Sequence, residues 1–239
     1  MKYYILLFFL SAVSLAGAVD LNTQKKFHET EDFVFYSEDS EDYSELVELV
    51  VQKNRSFQKI FNIEFNEKIS IYIFKNQISF SQHVFNSDKP VMNATGLADH
   101  VRKRFFLTSF YDTCKTRERL LQTPVHELVH LYFPCSCIWI REGIACYYAD
   151  MLFGMERRTL PGGFSEMIFY EKGAEETRKA YNASGWLVKY IIEELCGNDI
   201  SYFRSFSKNP ENYKLLGVHN ENELFGLWND YMIVNRFAD

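Results

Sequence analysis

The stretch that decides the fold is Val-His-Glu-Leu-Val-His-Leu, residues 125–131, which contains the pattern His-Glu-x-x-His. On an α-helix, residues four positions apart lie on one face, one turn from each other. His126 and His130 can therefore bind one metal ion together, and two imidazoles at this spacing are typical of zinc sites. Glu127 is offset by one position, so it can accept a proton from a metal-bound water instead of binding the metal.

The apolar neighbours of this pattern indicate that the helix is largely buried, and they are Leu128, Val129, Leu131 and Tyr132. Histidine and glutamate in a buried helix need polar partners or a metal ion, because burying a polar group without a partner is costly. Two starting points of the helix fit the sequence. Either Thr123 caps it with Pro124 in the first turn, or it begins earlier, from about Arg117, and bends at Pro124.

A catalytic zinc ion usually has three protein ligands and one position open to water. Metzincin peptidases take the third ligand from a histidine further along the chain, at a position held here by Ser136. The best candidate is Glu142, within Trp-Ile-Arg-Glu-Gly-Ile-Ala at residues 139–145. The intervening chain is long enough to end one helix at Pro134, turn, and begin an antiparallel one. The sequence thus predicts one catalytic Zn²⁺ with His126, His130 and Glu142 as its ligands.

His-Glu-x-x-His followed by Trp-x-x-Glu-Gly-x-Ala resembles the gluzincin-type metallopeptidases of the peptidase MA-like group. The resemblance implies that His126, His130 and Glu142 bind zinc, and that Glu127 is the catalytic base and proton shuttle. It also implies an α+β, zincin-like fold. In such a fold a small mixed or antiparallel sheet packs on the His-Glu-x-x-His helix, and a mostly helical half follows.

Small residues near Glu142 are expected to let the two metal-binding helices approach closely, and they are Gly143, Cys146 and Ala149. The chain departs from the thermolysin pattern, in which an aspartate four residues after the glutamate ligand orients a histidine. Cys146 occupies that position here, and Asp150 is the alternative acid.

The resemblance also suggests how a substrate would be bound. The strand expected at Arg104 to Phe110 would form the edge of the sheet, to which an extended peptide can add through main-chain hydrogen bonds. A donor to the developing oxyanion is needed as well. Tyr181 is the candidate because it precedes the expected penultimate helix, and Tyr147 and Tyr148 are the alternatives.

Hydrophobic periodicity predicts the remaining elements. Strands are expected at residues 33–36, 69–74 and 104–110, and helices at 42–61, 77–85, 138–153, 184–195 and 221–234. We therefore expect a single metallopeptidase domain over residues 19–239. Its front half, residues 19–134, would be α+β, and its back half, residues 135–239, mostly helical.

The first residues have the pattern of a signal peptide. Lys2 precedes an apolar run, and Ala-Gly-Ala at residues 16–18 is a small-residue cleavage pattern. Residues 1–18 are therefore expected to be removed during export to a secreted, periplasmic or other extracytoplasmic location; the alternative is an uncleaved anchor. In such a compartment a disulfide is expected from Cys135 or Cys137 to Cys114 or Cys146.

The chain carries a formal net charge of −6, which disfavours nucleic acid as a partner. The sequence predicts an exported zinc-dependent metallopeptidase that acts on peptides or proteins and keeps no stable membrane anchor after signal cleavage. Two alternatives stay open: a non-catalytic binding module of the same fold, and a zinc hydrolase acting on another amide or ester. Neither the cleavage specificity nor the oligomeric state follows from the sequence.

Overall fold

The computed structural model describes residues 21–91, 94–109, 111, 117–153, 161–167 and 174–236. The predicted signal peptide at residues 1–18 lies outside them. The protein is α+β and mostly helical, with one mixed five-stranded sheet and seven α-helices among the described residues. Its chain divides into two compact units, residues 1–132 and 133–239. The single domain expected over residues 19–239 stays a prediction.

The first unit contains the sheet and three helices. Its strands are β1 (Lys25–Glu29), β2 (Phe33–Ser37), β3 (Ile69–Phe74), β4 (Gly96–Asp99) and β5 (Arg104–Thr108). Its helices are α1 (Ser44–Phe61), α2 (Gln77–Phe85) and α3 (Arg117–Tyr132). The strand order is β1-β2-β3-β5-β4. The three central strands are parallel, and the two outer strands pair antiparallel to them, which makes the sheet mixed.

The alternation of buried and partly exposed side chains explains why the central segments form strands. Ile69, Ile71 and Ile73 of β3 are buried, whereas Ser70 and Tyr72 between them are partly exposed. Successive side chains of a strand point to opposite faces, so this pattern places the isoleucines on one side of the sheet. The predicted β3 and α2 have the expected bounds, and the helix expected at residues 42–61 is α1.

The edge of the sheet differs from the prediction. The strand expected at Arg104 to Phe110 is β5, but it lies between β3 and β4 and is not the edge strand. The edge is β4, a four-residue strand that reads Gly-Leu-Ala-Asp. Glycine and aspartate are depleted in strands, so propensity does not reveal β4. Short edge strands are common because they offer little unpaired backbone for aggregation.

The His-Glu-x-x-His helix is α3, and it begins at Arg117 with Pro124 inside it. The earlier of the two predicted starting points is therefore the correct one. The helix packs against β4, β5 and α1. At its end, the Tyr132 hydroxyl donates a 2.6 Å hydrogen bond to Asn54 Oδ1, and the Asn54 amide donates to Asp32 at 2.9 Å. The buried hydrogen bond between Tyr132 and Asn54 ties the end of α3 to α1.

The second unit is helical among its described residues. Its helices are α4 (Ile138–Tyr148), α5 (Ala174–Tyr190), α6 (Ile200–Ser207) and α7 (Glu221–Arg236). A π-helical segment, Ile191–Leu195, continues α5, and 3₁₀ turns lie at Phe164–Glu166 and Tyr213–Leu216. The helix expected at residues 184–195 begins earlier, at Ala174, and α6 was not predicted. No helix that the structure describes is long and apolar enough to cross a membrane.

Glycines allow α4 and α5 to cross closely. A Cβ atom at Gly143 would lie 2.5 Å from the carbonyl oxygen of Ser184, and one at Gly185 would lie 3.1 Å from Cys146 Cβ. These distances are shorter than van der Waals contact, so neither position has room for a side chain. The small residues after Glu142 were expected to bring α4 close to the histidine helix. The structure places Gly143 and Cys146 against α5, and their effect on the approach to the histidine helix stays a prediction.

Replacing Gly143 with alanine should therefore lower the melting temperature, since the new Cβ meets a backbone carbonyl that can move only with its helix. Overpacking of this kind typically costs about 1–3 kcal/mol. The control is Gly226→Ala in α7, where no atom lies within 4 Å of the added Cβ. That change should be neutral or stabilising by about 0.5–1 kcal/mol, as for glycine within an exposed helix. Equal melting temperatures for the two variants would contradict the proposed packing.

Candidate metal centre

Three side chains together can hold a metal ion: His126 and His130 of α3 and Glu142 of α4. Each offers one ligand atom, and these atoms all lie within 4.8 Å of one another. His126 and Glu142 are buried, and His130 is partly buried. The structure therefore brings together the three residues that the sequence singled out as metal ligands.

The two histidines owe their arrangement to the helix. One turn of α3 separates them, their ring centroids are 4.7 Å apart, and the rings are perpendicular. The side chains around them on α3 are apolar and almost fully buried, including Leu128 and Val129. Packing thus fixes the backbone that carries both imidazoles, and the imidazoles need little reorganisation to share an ion.

Glu142 has a partner that the sequence analysis missed. The Arg141 guanidinium donates a 2.9 Å hydrogen bond from Nε to Glu142 Oε1, and the Glu142 side chain is only 5% exposed. A buried carboxylate needs such a countercharge. A hydrogen bond to one carboxylate oxygen also orients the other, as outer partners of metal ligands commonly do. The only sequence signal was the adjacent basic residue, which does not reveal the direction of its side chain.

Glu127 is buried but is not part of the three-residue group. Its carboxylate lies against the edge strand: a Cβ atom at Gly96 would be 2.6 Å from Glu127 Oε1. A 3.1 Å hydrogen bond between the hydroxyls of Thr95 and Thr123 joins α3 to the chain just before β4. The site therefore contains two buried glutamates in different settings, one among the ligand atoms and one beside the sheet edge.

The tyrosines named as oxyanion donors differ in their surroundings. Tyr181 is partly buried and lies within α5, not ahead of it. Tyr147 donates its hydroxyl hydrogen bond to Glu193 at 2.8 Å, and Lys189 binds the same carboxylate oxygen at 2.6 Å. Burial, together with that hydrogen bond, raises the pKa of Tyr147, and burial followed by the charge of Glu193 raises the pKa of Tyr148 to about 12. The role of Tyr181 stays a prediction.

Three cysteines and Asp150 lie in the chain near the end of α3 and around α4. Cys135 and Cys137 are partly buried free thiols, so neither forms the expected disulfide with Cys146. Cys114, the other expected partner, lies outside the described residues. Asp150 is exposed, follows the end of α4 and has a φ of 55°. The role of Asp150 in orienting a ligand stays a prediction.

No family model matches the chain, and no curated protein is significantly similar to it in sequence. Two imidazole nitrogens and one carboxylate oxygen form the set found in His₂Glu catalytic zinc sites, and the same set also suits iron. The residues present thus fit a divalent transition metal. A set of three protein ligands leaves coordination positions of such a metal open for water and substrate.

We expect His126→Ala to lose the bound metal, because two remaining ligands hold a divalent ion weakly. We expect Arg141→Gln to keep the metal but to weaken its affinity about 10- to 100-fold, as is usual when an outer partner of a ligand is removed. Elemental analysis of dialysed protein, covering zinc, iron and manganese, together with a competition titration would measure both effects.

His83→Ala and Arg178→Gln are the matched controls, since neither residue belongs to the metal-binding group. Both should keep wild-type metal content and affinity. Unchanged stoichiometry in His126→Ala would refute the ligand assignment.

Proposed function

We propose that the protein is an exported zinc-dependent metallopeptidase with a gluzincin-type, zincin-like fold. The observation that carries the proposal is a His₂Glu ligand group with a further buried glutamate, Glu127, one residue after the first ligand. A purely structural zinc site has four protein ligands and needs no adjacent base. The signal-peptide pattern at residues 1–18 supports export.

The positions of the side chains support the following catalytic roles. His126, His130 and Glu142 would hold the ion. When bound, zinc polarises a carbonyl group and lowers the pKa of a bound water to about 7. The Glu127 carboxylate would accept the proton of the attacking water and deliver it to the nitrogen of the leaving amine. Arg141 would keep the Glu142 carboxylate oriented through its hydrogen bond to Oε1.

The edge strand supports a peptide as the substrate. The Thr108 amide donates to the Thr95 carbonyl at 3.0 Å, and β4 pairs with β5 in the same register. Antiparallel residues point their backbone groups alternately toward and away from the partner strand. Leu97 therefore bonds toward β5, whereas Gly96 and Ala98 direct their N–H and C=O groups to the outer edge.

An extended peptide could pair with these outer groups as an added strand. Because the Glu127 carboxylate lies against Gly96, a peptide on β4 would run beside the proposed base. This arrangement favours a main-chain amide as the substrate over a small ester, and it favours catalysis over a non-catalytic binding module. The sequence predicted that the strand at residues 104–110 would pair with the peptide. We assign this pairing to β4, because β5 is already paired on both sides.

Replacing Glu127 with glutamine should abolish most of the turnover while the metal stays bound, since glutamine cannot accept the proton. General-base catalysis usually contributes 10²- to 10⁴-fold, so kcat should fall by at least about 100-fold. The measurement is digestion of a panel of unstructured peptides, with and without a chelator, together with metal analysis. The exposed Glu67→Gln variant is the control and should retain wild-type kcat. Chelator-resistant cleavage, or an active Glu127→Gln variant, would count against the proposal.

Replacing Ala98 with proline tests the binding edge. Proline removes an N–H group that points away from β5, so the sheet should tolerate it at an edge strand. Loss of one backbone hydrogen bond to the substrate should raise KM about five- to tenfold. Ala98→Ser keeps the N–H group and should retain the wild-type KM. An unchanged KM in Ala98→Pro, with the fold intact by circular dichroism, would show that substrates bind elsewhere.

A further inference from the structure

We infer that Gly96 is a positioning residue for Glu127: the missing side chain on the edge strand is what allows the Glu127 carboxylate to lie where it does. This inference rests on the proposed function insofar as Glu127 is the catalytic base. It adds a requirement outside the His-Glu-x-x-His helix, on a strand that no sequence motif marks.

The distances show how tightly Glu127 and Gly96 are packed. A Cβ atom at Gly96 would lie 2.6 Å from Glu127 Oε1, 2.7 Å from Glu127 Cγ and 2.8 Å from Thr123 Cγ2. Carbon atoms in contact are separated by about 3.5–4.0 Å. The space that a side chain at residue 96 would occupy is thus already filled, and two of its three nearest atoms belong to Glu127.

The backbone conformation at residue 96 does not require a glycine. The described glycines with positive φ are Gly197 and Gly217, so Gly96 has a conformation that other residues can adopt. Ala98 is two residues further along β4 and points to the same face, yet it carries a Cβ atom. The requirement for glycine therefore comes from the neighbouring side chains and is confined to residue 96.

Of the neighbours, Glu127 is the one that would move. Thr123 is fixed by the hydrogen bond between its hydroxyl and that of Thr95. The Glu127 side chain is longer and ends in a rotatable carboxylate, so a Cβ atom at residue 96 would displace it with little change to the backbone. None of the three contacts involves a proposed metal ligand, so metal binding should be unaffected.

The test compares Gly96→Ala with Gly226→Ala, whose added Cβ meets no atom within 4 Å. For Gly96→Ala we expect wild-type metal content, a KM within about twofold of wild type, and a kcat lowered on the order of 100-fold, the usual cost of a misplacement of about 1 Å. Gly226→Ala should match the wild type in all three. A wild-type kcat in Gly96→Ala would overturn the inference.

Two readouts do not depend on peptide cleavage. In a double-mutant cycle, the loss of melting temperature caused by Gly96→Ala should be smaller in a Glu127→Ala background, because the two overlapping Glu127 atoms are gone and only Thr123 Cγ2 remains. In protein loaded with Co²⁺ alone, the visible absorption is followed as the pH is changed. The midpoint of this titration should shift in Gly96→Ala and in Glu127→Gln, but not in Gly226→Ala. An equal thermal penalty in both backgrounds, or an unshifted midpoint in Gly96→Ala, would refute the positioning role.

These readouts also separate the two claims. If the wild type cleaves no peptide but the cycle and the Co²⁺ titration give the expected results, the proposed peptidase function fails and the positioning of Glu127 by Gly96 stands. If the wild type cleaves peptides and Gly96→Ala behaves like Gly226→Ala, the peptidase function stands and the inference about Gly96 fails.

Discussion

The arrangement of the site depends on one constraint, which is that α3 must bury its apolar side chains while carrying three polar ones in the same two turns. Leu128 and Val129 have no exposed surface, and His126 and Glu127 beside them are each only 7% exposed. Burying such groups is unfavourable unless they find partners. The ligand atoms of His126, His130 and Glu142 are close enough together for one metal ion to serve as a shared partner of the imidazoles.

Each unit fixes its share of the site by packing that does not involve the site itself. In the first unit, the hydrogen bonds from Tyr132 to Asn54 and from Asn54 to Asp32 hold the end of α3. In the second, Gly143 lies directly after Glu142 and is pressed against α5. Within each unit, the candidate ligands therefore extend from a helix that is held by contacts away from the ligands.

The sequence predicted the ligand group because helical periodicity converts spacing into geometry. His126 and His130 must share a face of any α-helix, and Glu142 was the best candidate for the third ligand because Ser136 stands where a metzincin has histidine. Periodicity likewise predicted α1, α2 and β3. It failed at β4, because Gly-Leu-Ala-Asp has no alternation and poor strand propensity. Nor does the sequence predict that Gly143 packs against α5, since a small residue shows that a helix can approach closely but not which helix does so.

Contacts between residues far apart in the chain explain the other omissions. Nothing in the sequence relates Gly96 to Glu127, because their proximity arises only when β4 pairs with β5 and α3 packs on both strands. Arg141 is adjacent to Glu142, yet the direction of its guanidinium depends on how α4 is buried. The geometry of residues within one helix can thus be predicted from the sequence. The surroundings of the site, such as Gly96 and Arg141, depend on the sheet and on helix packing.

The two buried glutamates show why these surroundings matter for the proposed catalytic roles. Glu127 and Glu142 have the same side chain, and the proposed function requires Glu142 to bind the ion and Glu127 to move protons. Their surroundings differ accordingly: the carboxylate of Glu142 is held by an arginine, and that of Glu127 lies against a strand whose nearest residue has no side chain. Pairs of titratable groups in contrasting environments are how enzymes assign distinct roles to identical residues. Gly96 and Arg141, neither of which ligates or reacts, are the residues that create the contrast here.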